Sequence, residues 1–200
     1  MIPRLALPAL IALLSASPAA LAERATAVFA GGCFWCMEAD YEKLDGVHEV
    51  VSGYTGGERP NPSYREVSAG RTRHVEAVRV VYDTDKISYE QLLDYFWVNI
   101  DPTVDDRQFC DTGRHYRPAI FAQDERQKAL AQASLERVRA AGTPSPIKVT
   151  VERASRFWDA EEYHQDYYRK NPVRYNFYRF NCGRDARLEQ LWGDRAGRKP

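Results

Sequence analysis

Two cysteines three residues apart mark the part of the sequence best suited to chemistry. Cys33 and Cys36 follow the glycine pair 31–32, and a short apolar stretch, 25–30, precedes the glycines. The apolar stretch predicts a buried strand, and apolar residues at three- and four-residue intervals after Cys33 predict a helix. Cys33 would then lie at a helix N-terminus, where backbone N–H groups and the helix dipole favour the reactive thiolate. We therefore expect Cys33 to be an ionised nucleophile.

The remaining cysteines and the aromatic residues beside Cys33 extend this interpretation. Cys110 and Cys182 bring the total to four cysteines in 200 residues. That number is too small for a disulfide-stapled small fold but sufficient for redox chemistry. Phe34 and Trp35 could line an apolar pocket next to Cys33, although core packing is the more common role of aromatic side chains.

The elements that must position these residues alternate between strands and helices. The apolar content is ordinary for a chain of this length, which predicts one domain. The charge is balanced, with 28 basic and 28 acidic residues, so we expect no electrostatic field that would attract nucleic acid or a membrane surface. The patterns predict strands at 25–30, 46–51, 75–82, 119–122 and 147–152, and helices after Cys33 and at 88–98, 124–141 and 160–169. Ser63 could cap a further short helix ending at Gly70.

Two segments lack periodicity. Residues 101–117 form a long loop, which in a compact domain is usually functional. The chain from 171 onward shows little regular signal, and the basic segment 193–200 is expected to be a mobile tail. The mixture of strands and helices predicts an α+β fold, a two-layer sandwich with a mixed sheet.

The first 22 residues differ from the rest of the chain. Arg4 is followed by an apolar run, 5–14, and by the small residues 20–22 before Glu23. This order is typical of a cleavable secretory signal peptide, and the apolar run is too short to span a bilayer comfortably. We expect export to the periplasm or beyond, with 23–200 as a single catalytic domain. An oxidising compartment would require a dedicated electron donor for a catalytic thiol.

Six sequence blocks together resemble the A-type peptide methionine sulfoxide reductases, which reduce the S-epimer of methionine sulfoxide. The blocks occur in family order between about 26 and 192, at 32–35 (Gly-Cys-Phe-Trp), 53–57, 61–67, 74–78, 116–120 and 163–167. The resemblance implies a ferredoxin-like core elaborated by loops. It also implies no bound cofactor or metal, and an external reductant of the thioredoxin type acting on a reductase for free or protein-bound methionine sulfoxide.

The resemblance also implies roles for individual residues. Cys33 would attack the sulfoxide sulfur, and Glu66 would be the acid, which requires shielding from water and a raised pKa. The hydroxyl groups of Tyr54 and Tyr116 would donate to the sulfoxide oxygen. Asp111 would be the polar residue that helps to organise these hydroxyl groups. Phe34 and Trp35 would hold the methyl group of the substrate.

A sulfenic acid on Cys33 would be resolved by a nearby thiol. Three candidates exist: Cys182 in the C-terminal segment, Cys36 within the C-x-x-C motif, and Cys110 in the long loop. We favour Cys182, because family members commonly carry the resolving thiol in that segment. Many members lack a cysteine at position 36, which leaves the order of the relay open.

Two other classes of protein are consistent with parts of the sequence. A thioredoxin-like dithiol oxidoreductase could use Cys33 and Cys36, although two bulky aromatics between the cysteines are unusual there. A metal-binding module could use Cys33, Cys36, Cys110 and His115, although structural zinc sites more often have paired short spacings.

Overall fold

A computed structural model describes residues 23–142 and 144–200. The predicted signal peptide, 1–22, lies outside the described residues, so both its cleavage and the domain boundaries remain predictions. Within the described part of the chain, no helix is both long and apolar enough to cross a membrane.

A six-stranded mixed sheet organises the fold. Its order is β7-β6-β1-β3-β2-β8, and β4 and β5 form a separate small hairpin. All pairings in the large sheet are antiparallel except β6 with β7. The strands are β1 (Arg24–Ala30), β2 (Val47–Thr55), β3 (Val75–Asp83), β4 (Arg107–Gln108), β5 (Asp111–Thr112), β6 (Ala119–Ala122), β7 (Thr150–Arg153) and β8 (Trp158–Asp159).

Seven α-helices complete the described fold. They are α1 (Phe34–Tyr41), α2 (Tyr64–Ser68), α3 (Tyr89–Trp97), α4 (Glu125–Ala140), α5 (Tyr167–Lys170), α6 (Pro172–Asn181) and α7 (Arg184–Trp192). Elements β1, α1, β2, β3, α3 and β6 place their four strands in the order β6-β1-β3-β2, which is a ferredoxin-like core. The predicted α+β sandwich with a mixed sheet is confirmed.

The main core lies between one face of the sheet and helices α1, α3 and α4. Phe29 of β1 is fully buried and stacks on Tyr41 of α1, with ring centroids 5.2 Å apart, and on Phe96 of α3, 5.4 Å away. Such aromatic pairs contribute about 0.5–1.5 kcal/mol beyond the burial of their area. They hold α1, and therefore Cys33, against the sheet.

The C-terminal third differs from the sequence prediction. The predicted helix at 160–169 is wrong except at its end, where α5 begins at Tyr167. The predicted lack of regular structure after 171 is also wrong, because α6 and α7 occupy most of this segment. Val173, Phe177 and Phe180 of α6 are exposed although they follow the spacing of one helix face. In the final residues Gly197 donates to the carbonyl of Val98 at 3.0 Å, and the mobility of 193–200 remains a prediction.

The turn between β1 and α1 requires both glycines. Gly32 has φ 88°, which favours glycine, and a Cβ there would lie 2.5 Å from Cβ of Gln108. A Cβ on Gly31 would lie 2.6 Å from Sδ of Met37. The strand therefore passes directly into the helix, and Cys33 is the N-cap of α1.

We expect Gly32→Ala to be clearly more destabilising than Gly70→Ala. The left-handed backbone costs about 1–2 kcal/mol for a non-glycine residue at either position, but only the first substitution adds overpacking, about 1–3 kcal/mol. Gly70 has φ 67°, and a Cβ added there would meet no atom within 4 Å. Urea unfolding of both variants measures the difference, and equal losses of unfolding free energy would contradict the close approach of Gln108.

Candidate active site

The two thiols of the C-x-x-C motif lie side by side at the start of α1. Cys33 is 7% exposed and Cys36 is 2% exposed, and both are free cysteines. The backbone N–H of Cys36 donates to the carbonyl of Cys33 at 3.1 Å, and the two side chains are hydrogen-bonded to each other. The buried pair is therefore a dithiol whose sulfur atoms are within reach of each other.

The predicted ionisation of Cys33 is wrong for the protein without substrate. Burial raises the pKa of Cys33 well above its ordinary value, and its hydrogen bond to Cys36 and the nearby carboxyls of Glu76 and Asp111 raise it further. The helix N-terminus does not overcome these effects. In contrast, the hydrogen bond from Cys33 lowers the pKa of Cys36. Cys33 therefore keeps its proton until something near it changes.

Glu76 is the carboxyl group placed directly beside Cys33. It is 2% exposed, and one of its oxygens, Oε2, accepts the backbone N–H of Phe34 at 3.1 Å. It belongs to β3, opposite Tyr54 of β2 in the strand register. Burial raises the pKa of Glu76 to about 8, although the Phe34 hydrogen bond opposes this increase. At neutral pH this side chain is a carboxylic acid, which can donate a proton.

The prediction that Glu66 is a shielded acid is wrong. Its side chain is 24% exposed and forms an ion pair with Arg59. Its Oε2 accepts both the N–H and the hydroxyl of Ser63, at 3.0 and 2.9 Å, as part of a capping box at the start of α2. These Ser63 hydrogen bonds and the Arg59 charge lower the pKa of Glu66. An ionised carboxylate at the surface is a helix cap here and does not suit the role of acid.

The two predicted tyrosines approach the site from different elements. Tyr54 is fully buried on β2, with its ring 5.9 Å from that of Phe34, and its hydroxyl donates to Glu161 at 2.9 Å. Tyr116 ends the short 3₁₀ helix 114–116. Burial raises the pKa of Tyr116, and nearby Glu76 raises it further. Both hydroxyls therefore remain protonated donors.

An aromatic cluster surrounds the first turn of α1. Phe34 is 1% exposed, and its ring lies 5.0 Å from that of His164. Trp35 is half-buried and stacks on Tyr167 at 3.7 Å between ring centroids. Its indole Nε1–H donates to Nδ1 of His164 at 3.0 Å, and burial lowers the pKa of that histidine. The cluster is apolar and held rigid by these contacts, as a site for a methyl group requires.

Asp111 connects the long loop to α6. It is half-buried at the start of β5, and the hydroxyl of Tyr178 donates to its Oδ2. Burial raises the pKa of Asp111, although this hydrogen bond opposes the shift. The ring of Tyr178 also meets Trp35 edge to face at 6.0 Å. Tyr178 therefore touches both the loop and the aromatic cluster.

The other two cysteines form a disulfide. Cys110 and Cys182 are bonded across 72 residues, with their Cα atoms 4.9 Å apart. The favoured prediction for Cys182 required a free thiol ready to attack at Cys33, and the structure instead bonds this sulfur to Cys110. The same bond removes Cys110 from the alternative metal site with His115. Cys36 is the free thiol that lies next to Cys33.

Sequence reasoning missed Glu76 and Tyr178. Glu76 lies between the apolar residues Val75 and Ala77–Val78 near the start of β3, and one carboxyl group in such an apolar run indicates a buried ionisable side chain. Tyr178 had no local signal, because its importance comes from a contact with Asp111, 67 residues away.

Fold and site together define a thiol-dependent oxidoreductase: a ferredoxin-like core presents a buried dithiol beside a protonated carboxyl group. Comparisons with known proteins agree. The family model for peptide methionine sulfoxide reductase matches residues 25–196. The peptide methionine sulfoxide reductase MsrA 2 of Rhizobium meliloti is 48% identical over 180 residues, which cover 90% of this chain and 89% of that protein. The chain belongs to the peptide methionine sulfoxide reductase family.

Two further relatives describe the extent of the similarity. The MsrA/MsrB protein of Vibrio cholerae is 48% identical over 168 residues, 84% of this chain but only 44% of that longer protein. The crystal structure of Mxr1 from Saccharomyces cerevisiae in reduced form has a TM-score of 0.72 and 32% identity, covering 76% of this chain and 88% of that one. The fold is therefore shared with solved members of the family.

The raised pKa of Glu76 predicts how stability depends on pH. An unfolded glutamate titrates near pH 4.3, whereas folded Glu76 titrates at about 8. Between these values the folded protein holds a proton that the unfolded chain releases, so stability falls as pH rises, by at most about 1.4 kcal/mol per pH unit. Glu76→Gln cannot ionise, so we expect it to gain stability relative to the native protein from pH 4 to 8 in urea unfolding.

Glu66→Gln is the matched control for this measurement. The pKa of Glu66 is lowered in the folded protein, so its ionised form supports folding and its removal should give no such gain at pH 8. A stability difference between Glu76→Gln and the native protein that is the same at pH 4 and pH 8 would contradict the assigned pKa.

Proposed function

We propose that this protein reduces methionine S-sulfoxide, free or within proteins, to methionine, with Cys33 as the nucleophile and Glu76 as the acid. The observation that carries this proposal is the buried, protonated Glu76 held against the N-terminus of the Cys33 helix. Membership of the family and the A-type resemblance of the blocks around Cys33 support the substrate and its epimer.

The first step moves oxygen from the substrate to Cys33. The Cys33 sulfur attacks the sulfoxide sulfur while Glu76 protonates the oxygen, and the thiol proton of Cys33 is released to the carboxylate that Glu76 becomes. The protonated oxygen then passes from the substrate sulfur to the Cys33 sulfur as the bond between the two sulfurs breaks, so methionine leaves and Cys33 becomes a sulfenic acid. Phe34 and Trp35 hold the methyl group. Tyr116 donates to the oxygen, and Tyr54 does so once its hydroxyl turns from Glu161.

A buried acid suits this step because the substrate brings a polar oxygen into an apolar site. Water is largely excluded from Glu76 and Cys33, so the proton passes to the sulfoxide without competition from solvent. Asp111 positions Tyr178 and contributes negative potential beside Cys33. When Glu76 gives up its proton to the oxygen, it becomes the base that takes the proton of Cys33.

The second step forms a disulfide within the C-x-x-C motif. Cys36 lies one helical turn from Cys33, and hydrogen bonding from Cys33 lowers its pKa, as do the charges of Arg184 and Arg179. Its sulfur attacks the sulfenic sulfur of Cys33, water leaves, and a Cys33–Cys36 disulfide results. Cys36 is therefore the thiol that resolves the sulfenic acid.

An external dithiol returns the enzyme to its reduced state. Yeast Mxr1 has been solved in complex with Trx2, which supports a thioredoxin-type donor for this chain. The pattern of residues 1–22 supports export. The donor is then a thioredoxin-like protein of the periplasm or the cell exterior.

We expect Cys33→Ser to abolish reduction of methionine S-sulfoxide when dithiothreitol is the reductant. Glu76→Gln should lower the single-turnover rate about 10²- to 10⁴-fold, the usual contribution of a positioned acid, since the amide keeps the hydrogen bond from Phe34 but supplies no proton. Glu66→Gln should stay within about twofold of the native rate, because it alters only a helix cap. Native-rate conversion by Cys33→Ser, or equal loss in both glutamate variants, would refute the proposal.

The proposed resolving role of Cys36 has its own test. After one turnover without reductant, the native protein should contain a Cys33–Cys36 disulfide by peptide mapping, and so should Cys182→Ser. Cys36→Ser should instead retain a sulfenic acid on Cys33 that reacts with dimedone, because the remaining cysteines are bonded to each other. A Cys33–Cys182 linkage in the native protein would assign the role to Cys182.

A thioredoxin-like exchanger is the alternative function, and the same variants distinguish it. An exchanger needs both Cys33 and Cys36 to reduce a disulfide substrate, and it has no use for a protonated carboxyl group. Cys36→Ser that still completes one turnover of methionine sulfoxide supports the reductase.

A further inference from the structure

Asp111 is a carboxyl group whose charge costs free energy to maintain, because its side chain is half-buried at the start of β5. Arg184 of α7 is the cation that acts on it. However, the guanidinium of Arg184 donates to the carbonyl of Asn99 at 2.6 Å and covers the ring of Phe109. A carboxylate in such a place stays charged when hydrogen bonds favour its ionised form. The charge of Asp111 therefore depends on the groups that donate to it.

Tyr178 supplies such a donor. Its hydroxyl donates to Oδ2 of Asp111. The other oxygen, Oδ1, lies 3.8 Å from Sγ of Cys110, but that sulfur is part of a disulfide and carries no proton. Within the described part of the chain, the Tyr178 hydroxyl is therefore the only group that donates to the Asp111 carboxylate. Burial raises the pKa of Asp111, and this hydrogen bond and the charge of Arg184 oppose the increase.

The side chain of Tyr178 is itself held in place by α1. Its ring meets the ring of Trp35 edge to face, with centroids 6.0 Å apart. The next residue of α6, Arg179, pairs with buried Asp40 of α1 at 3.0 Å. These two contacts tie α6 to the helix that carries the dithiol. The hydroxyl of Tyr178 therefore approaches Asp111 from a fixed direction.

The charge of Asp111 acts on both reacting groups of the first step. Burial raises the pKa of Glu76, and the charge of Asp111 raises it further, which keeps the acid protonated. Burial and Cys36 raise the pKa of Cys33, and Asp111 adds to the increase. When Glu76 protonates the sulfoxide oxygen, positive charge develops on the substrate sulfur. A carboxylate fixed beside the site stabilises that charge.

We propose that Tyr178 is a positioning residue of the reductase, whose hydroxyl keeps Asp111 ionised and fixed so that this carboxylate stabilises the positive charge on the substrate sulfur. This inference rests on the proposed function and adds to it a residue that acts through Asp111. A tyrosine suits the role because it remains a donor. Burial raises the pKa of Tyr178, and the neighbouring thiols and Asp111 raise it further.

Other titratable groups face Asp111 from the elements around it. They are Cys33 at the N-cap of α1, Tyr64 of α2, Glu76 of β3, Tyr116 of the 3₁₀ helix and Arg184 of α7. Strand β4 places the uncharged Gln108 opposite Asp111. Burial raises the pKa of both tyrosines and of Cys33, and that of Glu76 to about 8. Below that pH, Asp111 is therefore the member of this set whose charge changes.

The pH dependence of a single turnover tests the role of Tyr178. Methionine formation without reductant is measured by rapid quench from pH 4 to 9 in the native protein and in Tyr178→Phe. Loss of the hydroxyl favours protonated Asp111, so the acidic limb of the profile should move to higher pH. At the midpoint of the native acidic limb, Tyr178→Phe should be at least about fivefold slower, because a hydrogen bond to a charged group shifts its protonation equilibrium about tenfold or more.

Two further variants make this result specific. Tyr168→Phe also removes a hydrogen bond from a tyrosine to a carboxylate, in this case Glu42, and should leave the acidic limb in place. Asp111→Asn should have no acidic limb from this group, and its basic limb should move to lower pH because Asp111 no longer raises the pKa of Glu76. Coinciding acidic limbs in the native protein and Tyr178→Phe, or an equal displacement in Tyr168→Phe, overturn the proposal.

A double-mutant cycle tests whether Tyr178 acts through Asp111. In the Asp111→Asn background, Tyr178→Phe should slow the single turnover less than about twofold, since coupled residues are not additive. A loss as large as in the native background would show that Tyr178 acts independently of Asp111, and it would overturn the proposal. Urea unfolding of each variant verifies that a lost rate is not lost folding.

The role of Tyr178 and the proposed function fail in different ways. If only the role of Tyr178 is wrong, methionine formation still depends on Cys33 and Glu76, and the acidic limb does not move in Tyr178→Phe. If the proposed function is wrong, the native protein forms no methionine in the same assay, or forms it equally well in Cys33→Ser.

Discussion

The hydrogen bond from the backbone of Phe34 to Glu76 is the contact on which the site depends. It joins the middle of the sheet to the first turn of α1, and it places a carboxyl group where solvent does not reach. Burying a charged carboxylate costs free energy, so a carboxyl group in such a place keeps its proton and stays neutral. Glu76 is therefore an acid that can donate a proton at neutral pH. The neighbouring thiol of Cys33 stays neutral until the oxygen of a substrate accepts the proton of Glu76.

The glycine turn before Cys33 also positions the site, through close packing against the backbone. Gly31 and Gly32 allow Met37 and Gln108 to pack against the main chain, and Gln108 in turn bonds both the N–H and the carbonyl of Asp101. The start of the long loop is thereby tied to the start of α1. Loop residues such as Asp111 and Tyr116 can then be positioned by rigid neighbours although they lie outside the main sheet.

The C-terminal helices complete the site from the side opposite the sheet. α6 contributes Tyr178 to Asp111 and ends in the disulfide to the same loop. Buried Arg184 of α7 donates to the carbonyl of Asn99 at 2.6 Å, and Arg179 pairs with Asp40 one turn beyond Cys36. The hydrogen bond from Cys33 lowers the pKa of Cys36, as do these cationic groups, although burial and Asp40 oppose the shift. Burial raises the pKa of Cys33, as do the same hydrogen bond and the carboxyl groups of Glu76 and Asp111, so one motif holds a neutral nucleophile and a more acidic partner.

The amino-acid sequence by itself determined the central sheet strands, the helices α3 and α4, and the position of Cys33 at the start of α1, because local periodicity and the glycine pair report these features. Tertiary structure decided the rest. Glu66 and Glu76 are both glutamates in family blocks, and only the packing of β3 beneath α1 buries one, while Ser63 and Arg59 keep the other ionised at the surface. The pairing of Cys110 with Cys182, and hence the freedom of Cys36, depends on the approach of two segments 72 residues apart. Burial and long-range contacts decide whether a side chain is protonated and which groups it contacts. Neither burial nor long-range contacts can be deduced from the residues next to it in the sequence.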